Sequence, residues 1–176
     1  MIRLFFAFIF SSSFLFAQDK KNQIYLNADD VVPALFSSQA SAYNLGYRRL
    51  INDEKTLRFG LKYFYEDDNE FTIGIKPGID FMFNNSKKWK FFYGLDTPFE
   101  YSNNFQSERK YYKIALIPFF RVEYVVSQSF SISTEPGLFF EILKIKDVDG
   151  SPIDNSNSSF SSGISNLGIL NLNFSF

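Results

Sequence analysis

The chain has 176 residues, with 18 basic and 19 acidic side chains, a formal net charge of −1, and neither His nor Cys. A chain of this length folds as one domain and can bury a core without disulfides or metal. The balanced charge argues against a nucleic-acid binder, which carries a basic stripe. The lack of His and Cys excludes Ser-His and Cys-His nucleophiles and most routes to zinc or haem ligation.

The first 17 residues predict an export signal. Arg3 precedes an apolar run from Leu4 to Phe16, and Ala17 supplies a small residue at the expected cut. The run is shorter than the roughly 20 residues of a membrane-spanning helix, so an uncleaved anchor is the less favoured alternative. We therefore expect a cleaved signal peptide over residues 1–17, a mature domain over 18–176, and no helical span in it.

The rest of the chain alternates between apolar and polar residues with a period of two. Residues 71–83 are the clearest case, with large apolar side chains at almost every odd position. Because successive strand side chains point to opposite faces, each such segment predicts a strand with one apolar and one polar face. The pattern predicts eight strands: residues 22–30, 40–50, 56–66, 70–83, 88–101, 111–125, 129–144 and 163–176.

The connections fall into two alternating classes. The short ones cover residues 51–55, 84–87 and 126–128, and the longer or more polar ones cover 31–39, 67–69, 102–110 and 145–162. If the short turns share one side, both chain ends also lie on that side. An even-stranded up-and-down barrel requires this arrangement.

Two barrel types fit the alternation. A soluble lipocalin-like barrel places its apolar rows inside around a ligand, whereas a membrane barrel turns them outward. Most segments have ten or more residues, enough to cross a bilayer, and a small lumen could not hold so many Phe and Tyr rings. Aromatic residues near segment ends also suit the headgroup level: Tyr43, Tyr47, Tyr65, Trp89, Tyr101, Tyr112 and Tyr124. We therefore expect an all-β, eight-stranded antiparallel up-and-down transmembrane β-barrel.

In such a barrel the polar faces line the lumen, where their charges balance. The predicted basic residues are Arg48, Arg58, Lys62, Lys76, Lys90, Lys113 and Arg121, and the predicted acidic residues are Asp29, Asp80, Asp96, Glu100, Glu123, Glu135 and Glu141. Because buried charges must be paired, equal counts favour a neutral internal network that fills the lumen. A narrow ion or small-solute channel is the alternative.

The C-terminal strand carries the most specific signal. Leu170, Leu172, Phe174 and Phe176 alternate with Asn and Ser residues. This strand resembles the terminal strand of bacterial outer-membrane barrels, which the barrel-assembly machinery recognises. The mature chain resembles the small OmpA- and OmpX-like barrels, and residues 43–49, 117–124 and 130–141 resemble the Bacteroidetes-type branch.

This resemblance implies an integral barrel, expected to be monomeric, in the outer membrane of a Gram-negative bacterium, in contact with its lipids. The role it implies is structural or one of surface interaction, with an extracellular partner at residues 102–110 and 145–162. Known enzymatic outer-membrane barrels use a catalytic His, so we expect no catalysis; a Ser-Lys or carboxylate mechanism stays open, but no pair is singled out. Residues 147–155 are rich in oxygen ligands but lack the full calcium-loop pattern, so we expect neither metal nor cofactor.

Four prolines conflict with this picture. Pro77, Pro98, Pro118 and Pro136 fall inside predicted strands, where each removes a hydrogen-bond donor from a barrel without edges. Bulges or a locally open ladder would accommodate them.

Overall fold

The structure is a computed structural model, which describes residues 21–27, 43–66, 69–147, 158–165 and 170–176. Outside these ranges lie the predicted signal peptide, Asp29, and residues 148–155 of the segment rich in oxygen ligands. The described residues form strands and no helix: β1 (Asn22–Asn27), β2 (Tyr43–Leu50), β3 (Lys55–Glu66), β4 (Glu70–Asn85), β5 (Trp89–Asp96), β6 (Phe99–Asn104), β7 (Arg109–Val125), β8 (Phe130–Thr134), β9 (Gly137–Asp147), β10 (Ser158–Ser165) and β11 (Leu170–Ser175).

Eight of these strands close into an antiparallel barrel. The ring runs β1, β2, β3, β4, β5, β7, β8 and β11, each paired with the next strand. It closes where β11 pairs with β1, with Phe174 opposite Ile24. The predicted eight-stranded antiparallel up-and-down barrel is therefore confirmed.

The three remaining strands, outside this ring, continue ring strands along the chain. β6 pairs with β4 and β7, the same neighbours as β5, and it keeps the register of β5. β8 and β9 both pair with β7, in one continuous register. On their other side, β8 pairs with β11 and β9 pairs with β10. Two of the eight predicted segments are thus each divided into two shorter strands, at residues 97–98 and 135–136. In the predicted segment 163–176, residues 166–169 lie outside the described residues.

The prolines explain both of these divisions. The backbone N–H of Thr97 donates to the Pro77 carbonyl at 2.9 Å, that of Ala115 to Pro98 at 3.0 Å, and that of Phe120 to Pro136 at 2.9 Å. Each proline carbonyl therefore stays in the ladder, and only the return bond from the missing N–H is lost. The register shift within the β4–β5 pairing lies at Met82/Asn84 and not at a proline, so these three prolines are accommodated by single open bonds and not by bulges.

One end of the barrel carries the short turns and the described chain ends. The turns there are residues 51–54, 86–88 and 126–129, and the Asn52 and Ser86 side chains bond to their own turn backbone. Phe176 exchanges two backbone hydrogen bonds with Asn22 at the same end, at 2.9 and 3.2 Å between N and O. We call this the turn end, and the opposite end the loop end.

At the loop end, two predicted connections are shorter than expected. β6 extends to Asn104 and β7 begins at Arg109, so the predicted loop over 102–110 contracts to residues 105–108. Within 145–162, residues 145–147 belong to β9 and 158–162 to β10. The bounds predicted for both connections were wrong, because cross-strand pairing on neighbouring strands extends the ladder through residues whose own composition suggests a loop.

Candidate functional site

The two faces of the barrel wall have inverted polarity. Among the described residues, 13 polar or charged residues are buried, against four hydrophobic ones: Tyr25, Phe92, Ala115 and Phe119. The predicted apolar rows are exposed, as at Phe59 (41%), Leu61 (44%) and Ile75 (44%). The polar rows therefore fill the interior, and the large hydrophobic side chains cover the outside.

Three arginines and four carboxylates form the centre of the interior, which we call the arginine plug: Arg48, Arg58, Arg121, Asp80, Asp96, Glu123 and Glu135. Arg58 contacts Asp80 and Asp96 at 3.2 Å and Glu135 at 2.6 Å between nitrogen and oxygen. Arg121 contacts Glu123 at 2.5 Å and Asp80 at 2.9 Å, and Arg48 pairs with Glu135. These residues come from five ring strands and the β8–β9 junction, so they meet only across the interior.

The charges of the plug balance when Lys76 is included. Its Nζ lies 3.7 Å from an Asp96 oxygen, which gives four cations against four carboxylates. Uncharged groups complete the hydrogen bonding: Arg48 donates to Gln23 at 2.7 Å and to Asn173 at 2.9 Å, and Ser131 donates to Glu123 at 2.7 Å. A buried ion pair is stable only with such compensation.

Each plug arginine also lies over an aromatic ring. The guanidinium carbon of Arg48 is 3.8 Å from the centroid of Tyr25, that of Arg58 is 4.2 Å from Phe119, and that of Arg121 is 3.5 Å from Phe92. These stacks fix the planes of the guanidinium groups while their edges donate to carboxylates.

Glycines on neighbouring strands provide the space for these side chains. A Cβ added at Gly46 would lie 1.8 Å from the Tyr25 ring, and one added at Gly78 would lie 2.0 Å from an Asp96 oxygen. Both distances are far below van der Waals contact, so no larger residue fits opposite the plug without displacing it.

A second charged layer lies between the plug and the loop end. Glu100 accepts from Lys62 at 3.0 Å and lies 2.8 Å from the Lys113 Nζ, while Glu141 lies 4.0 Å from Lys113. Glu100 lines two cavities, one of about 210 Å³ beside the plug and one of about 400 Å³ near the loop end. The second layer thus separates the two cavities.

Of the fourteen charged residues predicted for the lumen, the structure brings twelve together, and Asp29 lies outside the described residues. The plug and its edge contain Arg48, Arg58, Lys76, Asp80, Asp96, Arg121, Glu123 and Glu135, and the second layer contains Lys62, Glu100, Lys113 and Glu141. Lys90 lies opposite Glu123 in the β5–β7 register, nearer the turn end, and forms no ion pair within 4.0 Å to the described residues.

The aromatic and asparagine parts of the plug were not predicted. Tyr25, Phe92 and Phe119 lie inside, although their residue types suggested the outer face. The sequence contains one signal for rings in the interior. In each of the aromatic pairs Phe91-Phe92 and Phe119-Phe120, two adjacent residues place one ring on each face of the strand. Asn173, which is fully buried and bonds Arg48, gave no signal beyond its polar position.

Aromatic side chains lie on the outer face toward both ends of the barrel. Trp89 packs against Tyr124 toward the turn end, with 4.8 Å between ring centroids, and Tyr101 packs against Tyr112 toward the loop end at 5.3 Å. Tyr47 and Tyr65 are exposed, whereas the Tyr43 side chain lies outside the described part. In the last strand, Leu170 is exposed and Phe174 packs on Phe130 at 5.2 Å.

Each of the four plug carboxylates lies within ion-pair distance of at least one arginine, so the plug is a neutralised network. In the part of the chain that the structure describes, no cluster of three or more acidic side chains could hold a metal ion. The same residues include no helix long and apolar enough to span a membrane. Comparison with protein-family models, curated proteins and solved structures finds no match to this chain.

Proposed function

We propose that the protein is an integral outer-membrane β-barrel of a Gram-negative bacterium, with a structural or surface-interaction role and no catalysis. The observation that carries the proposal is the inverted polarity of the wall, with large hydrophobic side chains outside and paired charges inside. In water such an outer face would drive association, whereas in a bilayer it is solvated by acyl chains. The resemblance to the OmpA- and OmpX-like barrels is part of the same proposal.

The dimensions of the wall support a bilayer location. β3 has 12 residues, which correspond to about 40 Å along the strand and about 28 Å along the barrel axis at a tilt near 45°. The apolar band of outer-membrane barrels is about 25 Å tall. The aromatic pairs Trp89–Tyr124 and Tyr101–Tyr112 flank this height, as aromatic girdles do at membrane interfaces.

The closed arginine plug favours a structural barrel over a channel. Arg58 alone bridges Asp80 on β4, Asp96 on β5 and Glu135 at the β8–β9 junction, and the plug arginines are at most 3% exposed. A hydrated pathway would have to open this network, at the cost of separating buried charges. The C-terminal strand, with Leu170, Leu172, Phe174 and Phe176, is then the segment that the barrel-assembly machinery would bind.

Adjacent positions on β3 give the sharpest test. Since the chain has no Cys, Leu61→Cys and Lys62→Cys each give a single site for a nitroxide label. After reconstitution in phosphatidylcholine vesicles, we expect the label at Leu61 to collide more with oxygen than with a water-soluble nickel chelate, and the label at Lys62 to show the reverse. Phe59→Cys and Ile75→Cys should behave like Leu61→Cys.

A label at Leu61, Phe59 and Ile75 that is shielded from hydrocarbon would overturn the membrane location. Recovery of the protein as a detergent-free soluble monomer would also refute the membrane location. We expect the folded protein to fractionate with outer membrane and to migrate differently on a gel before and after boiling. Planar-bilayer recordings test the plug separately, because stable, sizeable channels would contradict a filled interior.

A further inference from the structure

The charges on the outward-facing rows of the strands all have the same sign. With the side chains that the structure describes, these rows carry five charged residues and no acid, and the five are Arg49, Lys55, Lys110, Lys144 and Lys146. Strand acids such as Asp80, Glu100 and Glu123 lie on the inward rows. A wall that presents only cations to its surroundings is suited to an anionic partner.

Three of the five cations lie together near the loop end, and we call them the lysine rim: Lys110, Lys144 and Lys146. Lys110 is directly opposite Lys146 in the β7–β9 register, and Lys144 is opposite Tyr112. The Lys146 Nζ lies 5.8 Å from the centroid of the Tyr112 ring, which places it on the exposed outer face. Lys144 and Lys146 therefore both lie at Tyr112 on the outer face.

An apolar surface lies next to the lysine rim on the same strands. Ile142 lies two residues before Lys144 on β9 and pairs with Ile114 on β7. Both isoleucines are exposed, Ile114 at 45% and Ile142 at 52%. Tyr101 and Tyr112 pack together beside them. A ligand that contacts both parts needs an anionic head and a long apolar tail, a combination that excludes free phosphate as the preferred occupant. Lysine side chains reach from such a surface to a headgroup because their stems are apolar.

We propose that the lysine rim binds the phosphate headgroup of an anionic membrane lipid whose acyl chains lie against Ile114 and Ile142. This inference rests on the proposed membrane location. Lys144 is the most exposed of the three lysines and Lys146 is held over Tyr112, so the test uses these two.

The experiment measures the preference of the reconstituted protein for an anionic lipid. Protein in phosphatidylcholine vesicles receives a trace of spin-labelled phosphatidylglycerol or spin-labelled phosphatidylcholine, and the motionally restricted fraction gives their relative association constants. We expect wild-type protein to prefer phosphatidylglycerol, and Lys144→Gln/Lys146→Gln to reduce that preference on the order of tenfold at low ionic strength. The preference should fall at 1 M salt, where the Debye length is about 3 Å.

Lys87→Gln/Lys88→Gln is the matched control, because it removes the same charge from an exposed turn at the turn end. An equal loss in this control, or an unchanged preference in Lys144→Gln/Lys146→Gln, would overturn the lipid site while leaving the barrel in the membrane. All variants are first checked for heat-modifiable migration in the vesicles. A wild-type protein that fails to insert would instead refute the proposed function, and this inference with it.

Discussion

Arg48 and Arg49 are adjacent in the chain but occupy opposite faces of β2, so a comparison of the two tests the inside-out arrangement. Arg48 is 1% exposed, pairs with Glu135, donates to Gln23 and Asn173, and stacks on Tyr25. Arg49 is exposed, near the turn end. The perturbation is Arg48→Met or Arg49→Met, which removes the charge and retains an unbranched side chain.

The expected cost of Arg48→Met follows from the charges it leaves unpaired. The plug with Lys76 then has three cations and four carboxylates, and loss of one member of a buried ion pair destabilises by about 3–5 kcal/mol. Arg49→Met removes an exposed charge and should change the free energy of unfolding by less than about 0.5 kcal/mol. Adding Glu135→Gln to Arg48→Met restores three cations and three carboxylates, so it should recover about 1–2 kcal/mol.

Urea unfolding of the protein refolded in detergent micelles measures these differences. Trp89 is the single tryptophan, and its emission reports unfolding because its ring leaves Tyr124. Gel mobility of unboiled samples gives a second measure of the folded fraction. Equal effects of Arg48→Met and Arg49→Met, or a larger effect of Arg49→Met, would refute the assignment of the two faces. Further destabilisation by Glu135→Gln would refute the charge balance of the plug.

Two further predictions concern the glycines and the C-terminus. Gly46→Ala places a Cβ 1.8 Å from the Tyr25 ring and should lower the free energy of unfolding by about 1–3 kcal/mol or prevent folding. Gly60→Ala meets the flexible Lys76 side chain at 3.1 Å and should lower it less. Equal urea midpoints of the two variants would contradict the close packing of Tyr25. Deletion of Phe176 removes the backbone bonds to Asn22 and should lower the outer-membrane level while periplasmic protein accumulates. Unchanged outer-membrane levels, compared with a Phe105→Ala control at the loop end, would exclude a role of this residue in assembly.

The barrel itself could be predicted from the sequence because its signal is local. Residues 71–83 alternate so strictly that the face of each side chain follows from its position alone, and one-residue slips would exchange the two faces. The ends of the strands were less predictable. Ser102, Asn103 and Asn104 have the composition of a loop, yet β4 and β7 pair with them on both sides. Such pairing depends on neighbours that are distant in the chain, which a local pattern does not contain.

The partners within the plug could not be predicted for the same reason. The sequence indicated that Arg58 and Glu135 both face inward, but the residues are 77 positions apart, and their contact depends on the stagger of every strand between them. The aromatic members were missed because the apolar pattern assigns rings to the outer face. Phe92 and Phe119 lie inside, where Arg121 and Arg58 stack on their rings. Hydrophobic periodicity does not indicate such a stack.

The net charge of −1 conceals a radial separation of charge. Among the side chains that the structure describes, the strand acids face inward, where those of the plug and the second layer are paired with Arg or Lys, while the outward rows carry only cations near the ends of the wall. A soluble barrel gains from outward charges of both signs spread over its surface, because they keep it dispersed. Cations confined to the rims of an apolar wall have no such effect at its centre. They do match a bilayer, in which hydrocarbon contacts the middle of the wall and anionic headgroups meet its edges. The interior must then be neutral on its own, since neither lipid nor bulk water reaches the plug to compensate an excess charge.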